Sequence, residues 1–201
     1  MKVLVITGGI GSGKSMACRY LRSQYGWPVY EADTRVKEMY ASHPTLLSDI
    51  EAALGTDLRD ADGVFNPKIL AGIIFHDDAA LSKVESFVFP VLLDDFDIWK
   101  KTQEDCSFVI LESATILEKP QLDGIGDYIL LIDAPVDVRL SRASSRDGVS
   151  EDRVLQRMAI QAMMNDISSG KIKAPADYVI VNDGSVELLK ENLDKLVHDT
   201  L

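Results

Sequence analysis

Eight residues near the start of this chain leave few folds open to it. Gly8-Gly9-Ile10-Gly11-Ser12-Gly13-Lys14-Ser15 fits the pattern GxxxxGK[ST]. The apolar run Lys2–Thr7 before it reads as a strand, and Met16, Ala17, Tyr20 and Leu21 after it are spaced for the buried side of a helix. Strand, glycine loop and helix in that order make a phosphate-binding loop. The glycines let the backbone curl tightly and turn successive N–H groups inward, at a helix N-terminus whose dipole favours anions. Lys14 is expected to reach the β- and γ-phosphates of ATP, and Ser15 to offer its hydroxyl oxygen to Mg²⁺. Gly9, Gly11, Ser12, Gly13 and Met16 are assigned to ATP binding beside them.

Four more short apolar runs read as strands: Pro28–Tyr30, Phe108–Glu112, Tyr128–Asp133 and Tyr178–Asn182. Most lack polar alternation, as expected of strands covered on both faces, and helical patterns separate them. The fold class is therefore α/β, a three-layer α/β/α P-loop NTPase fold around a five-stranded parallel sheet. Gly26 suits a left-handed position closing the first helix, and Pro135 sits where the next helix after the fourth strand should open. Ser150 and Ser185 are placed to cap two later helices, the first carrying an apolar stripe of Val154, Leu155, Met158 and Ala162. Between the second and third strands lie too many residues for a plain crossover. They read as helices over about 33–42, 45–54, 67–75 and 78–101, the last broken or kinked near Pro90. One domain over 1–201 is expected, with a core of about 1–33, 102–137 and 171–201, an acceptor-binding helical insertion at about 34–101, and a lid at about 138–170.

The net charge of −11 argues against a nucleic-acid partner, whose binding rests on a basic footprint. It also sets a test, because a nucleotide site in such a chain needs cations gathered locally. Arg139, Arg142, Arg146, Arg153 and Arg157 meet it, in a stretch that carries a net +2. Arg142 and Arg146 are four apart and share a helix face. A planar guanidinium suits the charge spread over a transferring phosphoryl group, so both are assigned to ATP and Arg142 also to catalysis. A solvated helix face is the plainer reading of the same charges.

Asp33 follows the second strand. Ligands in such sheets sit beyond the carboxyl ends of the strands, so Asp33 is expected to face the loop and take the acceptor hydroxyl's proton. Its other reading is an N-cap for a helix starting at Thr34. Glu112 ends the third strand, either holding magnesium through water, a role Asp33 is also placed for, or capping the turn at Ser113. His43, His76 and His198 lack metal-ligand spacing. No apolar run is long enough to span a membrane. No signal-peptide pattern opens the chain, and Cys18 and Cys106 read as small core fillers in a reducing cytoplasm. Nothing in the sequence sets an oligomeric state.

A GTPase would need a base-reading NKxD motif, which is absent, and a motor ATPase usually needs a longer chain. A small-molecule kinase remains. The ordered set Ile6–Ser15, Glu31-Ala32-Asp33, Leu54-Gly55, Asp62-Gly63, Ile74-Phe75, Arg142, Arg146–Ser150, Gln161, Ala176–Ile180, Asn182 and Gly184 resembles the dephospho-coenzyme A kinase family over nearly the whole chain. That resemblance implies transfer from ATP to the ribose 3′-hydroxyl of dephospho-CoA, the last step of coenzyme A synthesis, with Asp33 as base and Arg142 and Arg146 as lid arginines. The chain departs from the family pattern at Phe89-Pro90, in place of His-Pro, and at Ala114–Glu118. A kinase for a nucleoside or nucleoside monophosphate, and a non-catalytic nucleotide-binding protein, are the alternatives.

Overall fold

A computed structural model describes residues 1–104 and 106–199. The chain folds into two compact units, one of Met1–Glu31 with Gln103–Leu201 and one of Ala32–Thr102.

In the first unit, strands β1 (Lys2–Thr7), β2 (Val29–Glu31), β3 (Phe108–Glu112), β4 (Tyr128–Asp133) and β5 (Tyr178–Val181) form one sheet in the order β2-β3-β1-β4-β5. Every pairing is parallel, as the continuous apolar runs predict. The sheet has helices on both faces. Leu4, Ile6, Ile110, Leu130 and Ile132 are fully buried and pack with Leu21 of α1 (Lys14–Tyr25) and Leu189 and Leu193 of α9 (Val186–Asp199). Each such side chain contributes about 1.5–3 kcal/mol on leaving water. The registers pair Glu31 with Glu112, Glu112 with Ile6, and Asp133 with Val181, so these carboxylates lie at the carboxyl edge of the sheet. α6 (Val136–Asp147), α7 (Glu151–Ala159) and α8 (Ala162–Ser168) come between β4 and β5.

Local signals explain most helix ends. Gly26 and Gly148 close α1 and α6 at φ 72° and 62°. The Ser185 hydroxyl accepts the Leu188 amide at 3.2 Å and opens α9 as expected. Ser150 stands at the start of α7, but its hydroxyl makes no cap; its carbonyl accepts the Arg153 and Val154 amides instead. The stripe expected on α7 is also narrower. Val154 and Met158 are buried, Leu155 is exposed, and the helix ends before Ala162. Cys18 is buried, whereas Cys106 is only half-buried beside Met1, so one thiol of the two fills core.

The second unit holds α2 (Ala32–Ser42), α3 (Leu46–Leu54), α4 (Pro67–Ile74) and α5 (Asp78–Lys101). The Asn66 side chain caps α4 ahead of Pro67, and the Asp77 carboxylate caps α5 by accepting the Ala79 and Ala80 amides. Of the break or kink expected near Pro90, the break is absent: α5 is one helix through it. Val84, Val88, Leu92 and Phe96 are buried along it, and that packing offsets the hydrogen bond lost at proline, a cost of about 3 kcal/mol. Arg35 of α2 forks onto Asp95 of α5 at 2.7–3.0 Å. No helix among the described residues is long and apolar enough to cross a membrane.

Candidate active site

The loop between β1 and α1 has the backbone that its glycines permit. Gly8, Gly11 and Gly13 have φ of 147°, 78° and 109°, in the region that favours glycine. A Cβ at Gly8 would lie 2.1 Å from the Ile132 carbonyl oxygen, and one at Gly13 would lie 2.3 Å from Asn182 Nδ2. Neighbouring elements therefore press on the loop from behind. Asn182 Nδ2 donates to the Ser12 carbonyl at 2.7 Å, holding the loop to the end of β5. The Ser12 amide closes a turn onto the Gly9 carbonyl at 3.1 Å.

Lys14 opens α1, and its Nζ donates to the carbonyls of Gly8 at 2.8 Å and Gly9 at 3.3 Å. The ammonium thus lies across the loop. Ser15 follows it and is exposed in the first turn of α1. Met16 is half-buried against the sheet core, and its amide donates to the Gly13 carbonyl. Glu112 is half-buried at the end of β3. Burial, then the charges of Glu112 and Glu31, push the Cys18 thiol up, while Lys14 pulls it down. Lys14, Glu31 and Glu112 therefore share one electrostatic neighbourhood. Asp33 lies in the second unit, exposed in the first turn of α2, which begins at Ala32. It is inside the helix, in its first turn, rather than ahead of a helix starting at Thr34.

The five arginines divide by role. Arg139 is fully buried, its Nε donating to the Ile10 carbonyl at 3.0 Å and Nη1 to Ser168 Oγ at 3.1 Å. Burial lowers its pKa, and the charge of Asp133 opposes that. Arg142 donates to the carbonyls of Asn182 at 2.7 Å and Gly184 at 3.3 Å, which sets it on the turn after β5. Arg146 and Arg157 are half or more exposed and converge on Asp147 at 2.7 and 2.6 Å. Arg153 is exposed.

Hydrogen bonds from Arg146, then from Arg157, hold the Asp147 carboxyl well below the usual range. A depressed folded value stabilises the fold fully above the unfolded value of about 3.9, and the contribution is lost as pH falls through the folded value. Asp147→Asn should therefore lower the unfolding midpoint at pH 7. The gap to the unsubstituted chain should close progressively below about pH 3.9, as thermal scans at stepped pH would show.

Gln161, Asn182 and Asp133 frame the loop in ways their sequence neighbours do not announce. Gln161 is buried, and its Oε1 accepts the Ile10 amide at 2.8 Å. Asp133 accepts the Ser168 hydroxyl behind Arg139. Gln161 and Asn182 belong to the ordered set that carries the family resemblance, but their contacts with the loop show only in the fold.

The sequence matches the dephospho-CoA kinase family over residues 2–187. This chain belongs to that family. It is a family of phosphotransferases. The dephospho-CoA kinase of Porphyromonas gingivalis is 34% identical over 182 residues, covering 90% of this chain and 86% of that one. That of Bacteroides fragilis is 31% identical over 189 residues, covering 94% and 88%. The crystal structure of a Thermus thermophilus protein superposes with a TM-score of 0.80 at 28% identity, covering all of this chain and 98% of that one.

Proposed function

We propose that this dephospho-CoA kinase family member transfers the γ-phosphoryl group of ATP to the ribose 3′-hydroxyl of dephospho-CoA, giving CoA and ADP. The observation that carries the reading is an intact phosphate loop, with Lys14 across its mouth, inside a chain that matches the family over residues 2–187.

Gly9, Gly11, Ser12, Gly13, Lys14, Ser15 and Met16 form the ATP seat. The loop backbone and Lys14 hold the phosphates, with Met16 backing the loop on its core side. Phosphoryl transfer asks little covalent chemistry of a protein, so positioning and charge stabilisation do most of the work. Arg142 and Arg146 supply guanidinium groups to the phosphates. Arg146 leaves Asp147 to Arg157 when it does so, since that carboxylate already accepts from both. Asp33, two residues beyond the carboxyl end of β2, takes the proton of the attacking 3′-hydroxyl. Residues 138–170 act as a lid that excludes water and limits wasteful hydrolysis. The helical unit Ala32–Thr102 is the seat of the acceptor.

The residues present fit an ATP-borne Mg²⁺. Ser15 offers an exposed hydroxyl at a helix start, and Glu31 and Glu112 stand side by side in register, with Glu112 suited to hold it through water. Bound there, the ion neutralises charge on the β- and γ-phosphates. A cytoplasmic setting suits two free cysteines of which one is half-buried.

ADP release from ATP·Mg²⁺, followed with dephospho-CoA, adenosine, AMP and no acceptor in parallel, tests the proposal. Turnover is expected with dephospho-CoA alone. Turnover only with adenosine or AMP would assign a different acceptor, and acceptor-independent hydrolysis or silence throughout would leave a nucleotide-binding protein.

A further inference from the structure

Ile10, between the first glycines of the loop, is gripped at every group it has. Its amide donates to Gln161 Oε1 at 2.8 Å, and its carbonyl accepts from Arg139 Nε at 3.0 Å. Its side chain packs against a small cluster of Ala143 on α6 with Val154 and Met158 on α7. All of these partners come from the α6–α8 segment, more than a hundred residues along the chain. That segment has a core of its own, and Ile10 is the loop residue inserted into it.

Arg139 is the unusual member. It is fully buried, yet its acceptors are a neutral carbonyl and a neutral hydroxyl, and the nearest counter-charge, Asp133, is reached through Ser168. Its Nη2 has no hydrogen-bond partner among the described residues. A guanidinium that served packing alone would be costly in this form, since buried charges usually need full pairing. It also fills the space under the loop. A Cβ at Gly9 would fall 2.2 Å from Nη2 and 2.4 Å from Cζ, and one at Gly11 would fall 2.2 Å from the Arg139 carbonyl oxygen. Two glycines of the loop are thus shaped by one residue of α6.

We propose that Arg139 is a positioning residue for ATP: with Gln161 it latches the Ile10 peptide, fixing the curl of Gly9-Ile10-Gly11 and making the loop and the α6–α8 segment order together. The latch rests on the reading of the loop as the ATP seat. Nucleotide and segment then stabilise each other, because whatever straightens the latch improves the cradle.

The test is calorimetric titration with ATP·Mg²⁺, without acceptor, on Arg139→Met, Gly9→Ala and the double variant, with thermal midpoints recorded beside. Gly9 has no left-handed φ, and the three atoms nearest to its alanine's Cβ all belong to the guanidinium. Each single variant should weaken ATP at least about tenfold, the scale of 1.4 kcal/mol. In the Arg139→Met background, adding Gly9→Ala should cost less than about twofold. Unchanged ATP affinity in Arg139→Met, with only the melting midpoint lowered, would overturn the proposal. So would a Gly9→Ala loss that is the same with and without Arg139. Should Arg139→Met fail to fold, Gln161→Leu carries the test: its KM for ATP should rise several-fold while that for dephospho-CoA stays within about twofold, and equal KM values to the unsubstituted chain would refute the latch. No ATP binding by the unsubstituted chain would instead remove the nucleotide reading itself.

Discussion

Lys14→Ala is expected to lower kcat by about 10²–10³-fold, the scale seen when one preorganised donor to a reacting oxyanion is removed. The effect follows from what Lys14 holds. Its Nζ donates to the Gly8 and Gly9 carbonyls, both neutral acceptors on the loop that it crosses. Phosphate oxygens carry formal charge and make hydrogen bonds about twice as strong as those of neutral acceptors. Exchanging these carbonyls for phosphate therefore strengthens the ammonium's hydrogen bonds. Alanine removes the charge but leaves Gly8, Gly11 and Gly13 in their required conformations, so the fold should survive. Initial rates at saturating dephospho-CoA, with circular dichroism to confirm folding, measure the effect. A folded Lys14→Ala variant within tenfold of the original rate would contradict the account of phosphate stabilisation.

Asp33→Asn should cut kcat by roughly 10²–10⁴-fold while leaving ATP affinity within about twofold. Asparagine keeps the shape and one carbonyl oxygen but accepts no proton at pH 7. Asp33 lies exposed in the first turn of α2, where losing the carboxylate charge weakens its interaction with the helix dipole by about 0.3–1 kcal/mol. Loss of kcat with retained ATP binding separates a base from a phosphate ligand. Near-normal turnover by Asp33→Asn would remove Asp33 as base and point to solvent as the proton acceptor.

Much of the scaffold was legible because it is encoded locally. The strand before the loop, the glycines in it and the helix after it are neighbours in sequence, and Leu4, Ile6, Ala17 and Leu21 bury where their spacing places them. The cap at Ser185 is equally local, although Ser150, read from the same kind of signal, makes no side-chain cap. What was hidden depends on distant partners. The chain breaks between α7 and α8 where the Gln161 side chain turns to Ile10, 151 positions away, and no local pattern marks that break. Arg139 belongs by composition with Arg142 and Arg146, and periodicity cannot tell a buried guanidinium from an exposed one. Asn182 supports Ser12 across 170 positions. Proline at position 90 signals a break in any isolated helix, but the burial of Val84, Val88, Leu92 and Phe96 outweighs it. The motif marked the site, and the contacts behind the loop came only with the fold.

The central claim is that the phosphoryl group ends on one oxygen of one acceptor. Phosphorus NMR of the product formed from ATP·Mg²⁺ and dephospho-CoA tests it most directly. The account predicts a single new phosphomonoester on the ribose 3′-oxygen, formed in equal amount to ADP. A phosphoryl group on any other oxygen, or inorganic phosphate released in place of an ester, would contradict it.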